Sequence, residues 1–137
     1  MEPEEHIGQC VLIVEDNPLN MKLFAAMVTA QGYGVLQAPD ARCGIELAHQ
    51  HHPDLIIMDV NLPGMSGLEA THFLKDDEGT RDIPIIVTSA FGRSGEDQEV
   101  VASGCDGFMA KPISVTDFVE MVDTYMLQSV QRRLTIA

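Results

Sequence analysis

Five short apolar runs, each followed by a segment with helical periodicity, dominate the pattern of hydrophobic and polar positions. The runs are Cys10–Val14, Val35–Ala38, Leu55–Met58, Ile83–Ser89 and Gly107–Ala110. The clearest of them are continuously apolar rather than alternating, which is typical of strands covered on both faces. The pattern therefore predicts five β-strands, with Pro84 near the start of the fourth, where proline is tolerated.

Capping residues and apolar spacing predict a helix after each strand. Residues that can cap a helix N-terminus precede four of these segments: Asn17, Asp40, Ser66 and Ser114. Gly32 ends the first helix and Gly104 the fourth, which is predicted over 96–103. The third helix is predicted over 68–74. Apolar side chains share one face of the last helix at positions Phe118, Met121, Val122 and Tyr125.

Five consecutive strand–helix units predict an α/β fold with one doubly wound parallel sheet between two helix layers. We expect this domain over 10–128. A flexible acidic arm is expected over 1–9, and a helix end or tail over 129–137. Sites in such sheets form at the carboxyl ends of the strands, where the strand order reverses.

Charge and cysteine content exclude several function classes. The 137 residues carry a formal net charge of −13, which argues against binding nucleic acid or an anionic membrane surface. We find no apolar run long enough to span a bilayer, so membrane insertion is not expected. The acidic N-terminus does not resemble a signal peptide. Three scattered cysteines, Cys10, Cys43 and Cys105, fit a reduced, cytoplasmic protein.

The residues that follow the apolar runs are suited to phosphoryl chemistry. Glu15 and Asp16 follow the first strand, Asp59 the third and Lys111 the fifth, while the fourth ends in Thr88-Ser89. Converging carboxylates repel each other, and Mg²⁺, which prefers oxygen ligands, relieves that repulsion. A metal and an ammonium can neutralise phosphoryl oxygens, a hydroxyl can donate to one, and a carboxylate can attack phosphorus.

With these residues in place, the chain resembles the receiver domain of two-component response regulators. The matching segments are VLIVEDN (11–17), DLIIMD (54–59), LPGMSG (62–67), SA (89–90) and KP (111–112). The stretch EDNPLNMKLF, with QGY and KPISV further along, is most similar to the DivK type, which are stand-alone regulators of bacterial cell-cycle and differentiation circuits. The resemblance implies a flavodoxin-like fold with strand order 2-1-3-4-5.

The same resemblance assigns the charged residues. Asp59 would be the phosphoacceptor, and Lys111 would pair with the phosphoryl group. Asp16 and Asp59 would bind Mg²⁺ directly, Glu15 would act through water, and the backbone carbonyl of Asn61 would be a further ligand.

It also implies the parts of a conformational switch. Ser89, which is followed by alanine as in the family pattern, would be the switch hydroxyl, with Thr88 as its rival. Phe108 would be the rotating aromatic residue, with a core position as the alternative. The Lys111–Pro112 peptide bond is expected to be cis.

The function implied is a single-domain response regulator without an attached effector domain. A histidine kinase or phosphotransfer protein would donate the phosphoryl group. Output would be a contact with a downstream protein through helix 4, strand 5 and helix 5, or through helix 1. An aspartate-nucleophile phosphohydrolase is the first alternative, but it would need a second carboxylate as general acid where Asn61 stands. A pseudo-receiver scaffold that takes no phosphate is the second.

A histidine group at the end of the second helix is the remaining candidate site. His49, His51 and His52 could suggest a metal, but no further histidine or cysteine nearby in sequence completes a four-ligand set. We interpret them as a solvated helix end.

Overall fold

Strands and helices alternate along the chain in the computed structural model, which describes residues 9–90 and 94–136, except for the side chains of 94–97 and 132–136. The strands are β1 Cys10–Val14, β2 Gly34–Ala38, β3 Leu55–Asp59, β4 Ile85–Ser89 and β5 Gly107–Ala110. The helices are α1 Pro18–Ala30, α2 Ala41–His51, α3 Gly67–Lys75, α4 Ser94–Ala102 and α5 Val115–Ile136. The predicted N-terminal arm lies outside the described residues, apart from Gln9.

All strand pairs are parallel, and the sheet has the order β2-β1-β3-β4-β5. The predicted strand order is therefore confirmed. Because β1 and β3 lie side by side although β2 comes between them in sequence, the winding direction reverses at this pair. A crevice at the carboxyl edge follows from that reversal.

The sheet is buried on both faces, which explains why the strands are continuously apolar. One face packs β-strand residues such as Leu12 and Ile56 against α2 and α3. The other packs Ile13 and Ile57 against α1 and α5. On this second face the rings of Phe24 and Phe118 stack with centroids 5.0 Å apart. Two apolar layers hold the strand ends in fixed positions.

The helix starts follow from the predicted caps. The Asn17 side chain accepts hydrogen bonds from the N–H groups of Leu19 and Asn20 at 2.9 and 3.0 Å. Asp40 caps α2 through the N–H of Cys43. At α3, Ser66 forms a complete capping box with Glu69. At α5, the Ser114 hydroxyl accepts from the N–H of Asp117 at 3.0 Å.

The fourth strand is shorter than predicted, beginning at Ile85 rather than Ile83. The N–H of Ile83 donates to the Thr80 carbonyl at 3.0 Å, so this residue belongs to a turn. Pro84 has no N–H to offer to the sheet. Helix α4 also begins and ends slightly earlier than predicted, at Ser94 and Ala102. None of the described helices combines the length and apolarity needed to cross a bilayer.

Gly67, the first residue of α3, packs directly on the backbone at the end of β3. Its N–H donates to the Val60 carbonyl at 3.0 Å. A Cβ atom at this position would lie 1.9 Å from the carbonyl oxygen of Asp59. Backbone atoms cannot move aside as a flexible side chain can, so glycine is required for α3 to approach the sheet edge this closely.

Gly67→Ala is therefore expected to destabilise the fold by about 2–3 kcal/mol, the cost of overpacking against a rigid neighbour. Urea unfolding followed by circular dichroism measures the loss. Gly79→Ala is the matched control, because a Cβ atom there would meet only the Asp77 side chain, at an ordinary 3.6 Å. Equal stability of both variants would contradict the close contact at Gly67.

Candidate functional site

The predicted site residues collect at the carboxyl edge of the sheet because parallel strands end on the same side. Asp59 is the last residue of β3, and Glu15 and Asp16 follow β1. Ser89 is the last residue of β4, and Lys111 follows β5. Since β1 and β3 are neighbours at the point where the winding reverses, the acidic residues that follow them lie next to each other.

Three carboxylates form a compact cluster. One oxygen each from Glu15, Asp16 and Asp59 lies within 4.8 Å of the others. Glu15 and Asp59 are each 3% exposed, whereas Asp16 is open to solvent. Among the described residues this is the only group of three or more acidic, histidine or cysteine side chains close enough to share a metal ion.

Lys111 supplies the positive charge that faces this cluster. Its ammonium nitrogen lies 3.1 Å from Asp59 Oδ1 and 3.8 Å from Glu15 Oε1. The N–H of Asn61 donates to the same Asp59 oxygen at 3.2 Å. The Lys111 N–H donates to the Ser89 carbonyl at 2.6 Å, which fixes the end of β5 beside β4. The Lys111–Pro112 peptide bond is cis, as expected.

Burial and charge both act on Glu15. Burial raises the pKa of its carboxyl above the usual value, and the Asp59 carboxylate raises the pKa further. The N–H of Asn17, at 3.2 Å, lowers it, as do the Lys111 ammonium and the Asn20 side chain. The causes that raise the pKa of Glu15 therefore outweigh those that lower it.

The donor set fits a hard divalent cation. Carboxylate oxygens are the ligands that Mg²⁺ prefers, and an exposed Asp16 leaves room for the waters that this ion retains. Glu15 Oε1 is buried and has no hydrogen-bond partner in the part of the chain that the structure describes. Such an oxygen is suited to accept from a water molecule bound to a metal.

Two residues with hydroxyl groups, Thr88 and Ser89, end β4, so both lie near the carboxyl edge of the sheet. Thr88 pairs with Asp59 across the ladder, and Ser89 comes one residue further. Ser89 is fully buried and Thr88 nearly so. Thr88 Oγ1 accepts or donates no hydrogen bond within the described ranges. The choice between the two as switch hydroxyl stays a prediction.

Phe108 lies apart from the charged cluster. Phe108 lies on the edge strand β5, where it pairs with Val87 of β4 and is half-buried. Its side chain lines a groove between β5 and α5. The predicted switch aromatic therefore faces this groove rather than the carboxylates.

Two contributions to the site were not identified from the sequence. Asn17, predicted only as a helix cap, also holds Glu15 through its own N–H. Its position directly after the acidic pair was the available signal. Gly67 supports the Asp59 backbone from α3. The available signal was its place at the end of the LPGMSG segment, which assigned it no contact.

The histidines at the end of α2 are exposed to solvent and do not belong to the carboxylate cluster. His49 Nε2 lies 2.7 Å from the carboxylate of Asp77, and His49 Nδ1 faces the Ile45 carbonyl at 3.1 Å. His52 ends the helix in the left-handed conformation, with φ of 47°. The contact between His49 and Asp77 ties α2 to the turn before β4.

Comparison with known proteins assigns this arrangement to a family. The model of the response regulator receiver domain matches residues 11–123. The polar-differentiation response regulator DivK of Brucella ovis is 47% identical over 116 residues, which are 85% of this chain and 94% of the relative.

Solved structures agree with this result. A receiver domain of a sensor histidine kinase from Pseudomonas aeruginosa, which has a magnesium ion coordinated in its active-site cleft, is 30% identical with a TM-score of 0.80. The match covers 87% of this chain and 98% of that one. A CheY-like receiver domain protein from Methanospirillum hungatei, 19% identical over 90% of this chain and 98% of its own, has the same fold with a TM-score of 0.83. With fold, edge geometry and sequence in agreement, the chain belongs to the response regulator receiver domain family.

Proposed function

We propose that this receiver domain accepts a phosphoryl group on Asp59 and thereby changes its contacts with other proteins. The observation that carries the proposal is the buried Asp59 carboxylate, which contacts Lys111 and adjoins two further carboxylates. A nucleophilic carboxylate, a cation site and an ammonium are the groups that a transferred phosphoryl group requires.

Asp16 and Asp59 would hold Mg²⁺ directly, Glu15 through water, and the Asn61 carbonyl would complete the protein ligands. When bound, Mg²⁺ would neutralise charge on the phosphoryl oxygens and on the carboxylates. The spacing of the three carboxylates supports this assignment, as does the Glu15 oxygen that accepts no hydrogen bond within the described residues.

In the proposed transfer, an Asp59 oxygen attacks the phosphorus of a phosphohistidine on the donor. The new P–O bond forms as the P–N bond breaks, and the imidazole nitrogen keeps the electron pair. Lys111, whose ammonium lies 3.1 Å from Asp59 Oδ1, would pair with a phosphoryl oxygen once Asp59 carries the acyl phosphate. Ser89 would donate its hydroxyl hydrogen to another phosphoryl oxygen, and Phe108 would respond at β5.

The signalling role is favoured over an enzyme that acts on separate substrates. The domain would promote only its own phosphorylation and the later hydrolysis of its acyl phosphate. A phosphohydrolase would use a carboxylic acid two residues after the nucleophile, and Asn61 instead offers an N–H to Asp59. A scaffold that takes no phosphate would not need Lys111 and the acidic cluster to face each other.

Helix α1 offers a docking surface for the phosphodonor. Lys22 is its only charged residue, and Leu19 and Leu23 are 64% and 52% exposed. A groove of about 610 Å³ beside the helix is lined by Leu23, Met27 and, at its end, Lys111. An apolar helix face that continues into the phosphoacceptor site fits a histidine kinase or histidine phosphotransfer protein.

The similarity to DivK supports a role in cell-cycle or polar-differentiation control. The three free cysteines fit the cytoplasmic location that we propose. Output would pass through α4, β5 and α5, or through the α1 surface.

The first test is Asp59→Asn, which keeps the side-chain shape but removes the nucleophile. We expect no phosphoryl group on this variant after incubation with acetyl phosphate and Mg²⁺, measured by intact mass, with an unchanged circular dichroism spectrum. Glu46→Gln, which removes an exposed carboxylate on α2, should be labelled as the unmodified protein is. Normal labelling of Asp59→Asn would contradict the assignment.

The second test is thermal unfolding with and without Mg²⁺. At about ten times its Kd, a bound ion adds about 1.4 kcal/mol, which raises the Tm by about 3–6 °C. Asp16→Ala is expected to lose this rise, and Glu46→Gln to keep it. If millimolar Mg²⁺ leaves the Tm of the unmodified protein unchanged, that result would count against the metal site.

The third test separates Ser89 from Thr88. A hydrogen bond to a charged group contributes about 1.5–3 kcal/mol, so losing it should reduce the active population by roughly ten- to a hundredfold. Ser89→Ala should still be labelled at Asp59, but its NMR shifts at Phe108 on adding beryllofluoride, a phosphoryl mimic, should be largely lost. If Thr88→Val loses them instead, Thr88 is the switch hydroxyl.

A further inference from the structure

A groove of about 380 Å³ lies at the amino edge of the sheet, the edge opposite to the carboxylate cluster. Leu127 and Val130 of α5 line it, together with Gln9 before β1 and Tyr33 before β2. Leu127 is 59% exposed although its side chain is large and apolar. Asp123 also lines the groove and accepts from the Tyr33 hydroxyl at 3.0 Å. The described residues therefore leave an apolar part of α5 open to solvent beside the start of β1.

One buried carboxylate joins the two sides of this groove. Asp54 Oδ2 accepts from the N–H of Cys10 at 2.9 Å, and Asp54 Oδ1 accepts from the Ser129 hydroxyl at 2.9 Å. The Gln9 carbonyl also accepts from the N–H of Gly34 at 3.0 Å, so the chain is already bonded to β2 at Gln9. The segment that leads into β1 therefore starts at the rim of the groove, beside α5.

Strand alternation determines which side chains of that segment face α5. Val11 and Ile13 of β1 pack in the apolar layer that includes α1 and α5. Alternate residues of an extended chain share one side, and Gln9, which lines the groove, belongs to the same set. Continued backwards in an extended conformation, this side carries Ile7 and Glu5, which precede the part of the chain that the structure describes.

We propose that residues 5–8 form a strap across this groove, with the Ile7 side chain on Leu127 and Val130 and the Glu5 carboxylate beside Arg133. Ile7 lies two residues before the rim, about 7 Å along an extended chain, which brings it to the exposed side chain of Leu127. Contact between the two would remove apolar surface from water, the main favourable term in packing. The strap would hold the C-terminal half of α5 against the amino edge of the sheet.

The charges of the two segments are complementary. Three of residues 1–5 are glutamates, whereas Arg132 and Arg133 are the only two basic residues adjacent in a sequence of net charge −13. Helix α5 continues to Ile136, and helical spacing places Arg133 on the face of Val130, three residues earlier. A basic helix end beside an acidic strap stabilises the contact, although an exposed pair contributes little by itself.

The lengths of the two segments also agree. Four residues of extended chain span about 13 Å from Gln9 to Glu5, and six helical residues rise about 9 Å from Leu127 to Arg133. Both segments run past the amino edge of the sheet. Glu5 and Arg133 would therefore lie at a similar distance beyond it.

The arm of the same chain is favoured over a second copy or a separate partner. It is attached at the rim of the groove, so its effective concentration there is high. A second copy would bring another net charge of −13 and would be repelled. The inference is independent of the proposed function, because none of its contacts involves Asp59.

Nuclear Overhauser spectroscopy on the full chain with labelled methyl groups tests the contact directly. We expect cross-peaks from Ile7 to the methyl groups of Leu127 or Val130. No cross-peak from Ile7 to α5 would overturn the inference. Cross-peaks that arise only between differently labelled copies in a mixed sample would also overturn it, because they would assign the groove to a second copy.

Moving the isoleucine by one residue tests the alternation. Ile7→Gly with Gly8→Ile keeps the composition but turns the isoleucine to the other side of the arm. We expect this variant and Ile7→Ser to lower the Tm by about 3–5 °C and to shift the resonances of Leu127 and Val130. The control Val101→Ser, which changes a 79% exposed side chain on α4, should affect neither. Equal effects of Ile7→Ser and Val101→Ser would contradict the strap.

Charge reversal tests the pairing of Glu5 with Arg133. Glu5→Arg and Arg133→Glu should each weaken the cross-peaks and lower the Tm by about 1–2 °C, and the double variant should recover both. Glu4→Arg makes the same change of charge on the opposite side of the arm, so its combination with Arg133→Glu should give no recovery. Recovery with Glu4→Arg, or none with Glu5→Arg, would overturn the proposed path of the arm.

Discussion

The structure depends on keeping buried negative charge at one edge of a sheet whose interior is apolar. Glu15 and Asp59 are almost fully buried, and within the described ranges the Lys111 ammonium is the one positive charge paired with both. Like charges at this distance raise the free energy of the folded state unless a cation or a hydrogen-bond donor compensates them. The free energy of this edge therefore depends on the Lys111 ammonium and on the backbone N–H groups of Asn17 and Asn61.

The surrounding backbone prevents the carboxylates from separating. Adjacent strands β1 and β3 fix Glu15 beside Asp59. Backbone N–H groups of Asn17 and Asn61 each hold one carboxylate oxygen. Gly67 lies against the Asp59 carbonyl, so α3 also restrains the end of β3. Two apolar helix layers keep the strands that carry these groups in register.

Local signals were sufficient to predict the elements and which charged residues meet at the carboxyl edge of the sheet, whereas the roles of those residues came from the family resemblance. Continuous apolar runs predicted the strands, and polar caps such as Asn17 and Ser66 predicted helix starts, because both depend on neighbours in the sequence. Ile83 was wrongly included in a strand because its apolar side chain gives no sign that its N–H closes a turn on Thr80. The approach of Gly67 to Asp59 depends on how a loop folds back, which no periodicity records.

The segment from Lys111 to Ile113 connects the charged cluster to two surface grooves, one beside α1 and one beside β5. Pro112 and Ile113 line the groove beside α1 and also the groove beside β5. The Lys111 N–H is bonded to the Ser89 carbonyl, so the same segment is tied to the end of β4. Under the proposed function, a phosphoryl group on Asp59 would bond to the side chains of Lys111 and Ser89, the two residues that this backbone hydrogen bond joins. Because the groove beside α1 and the groove beside β5 share this short segment, a change of charge at Asp59 would then affect both.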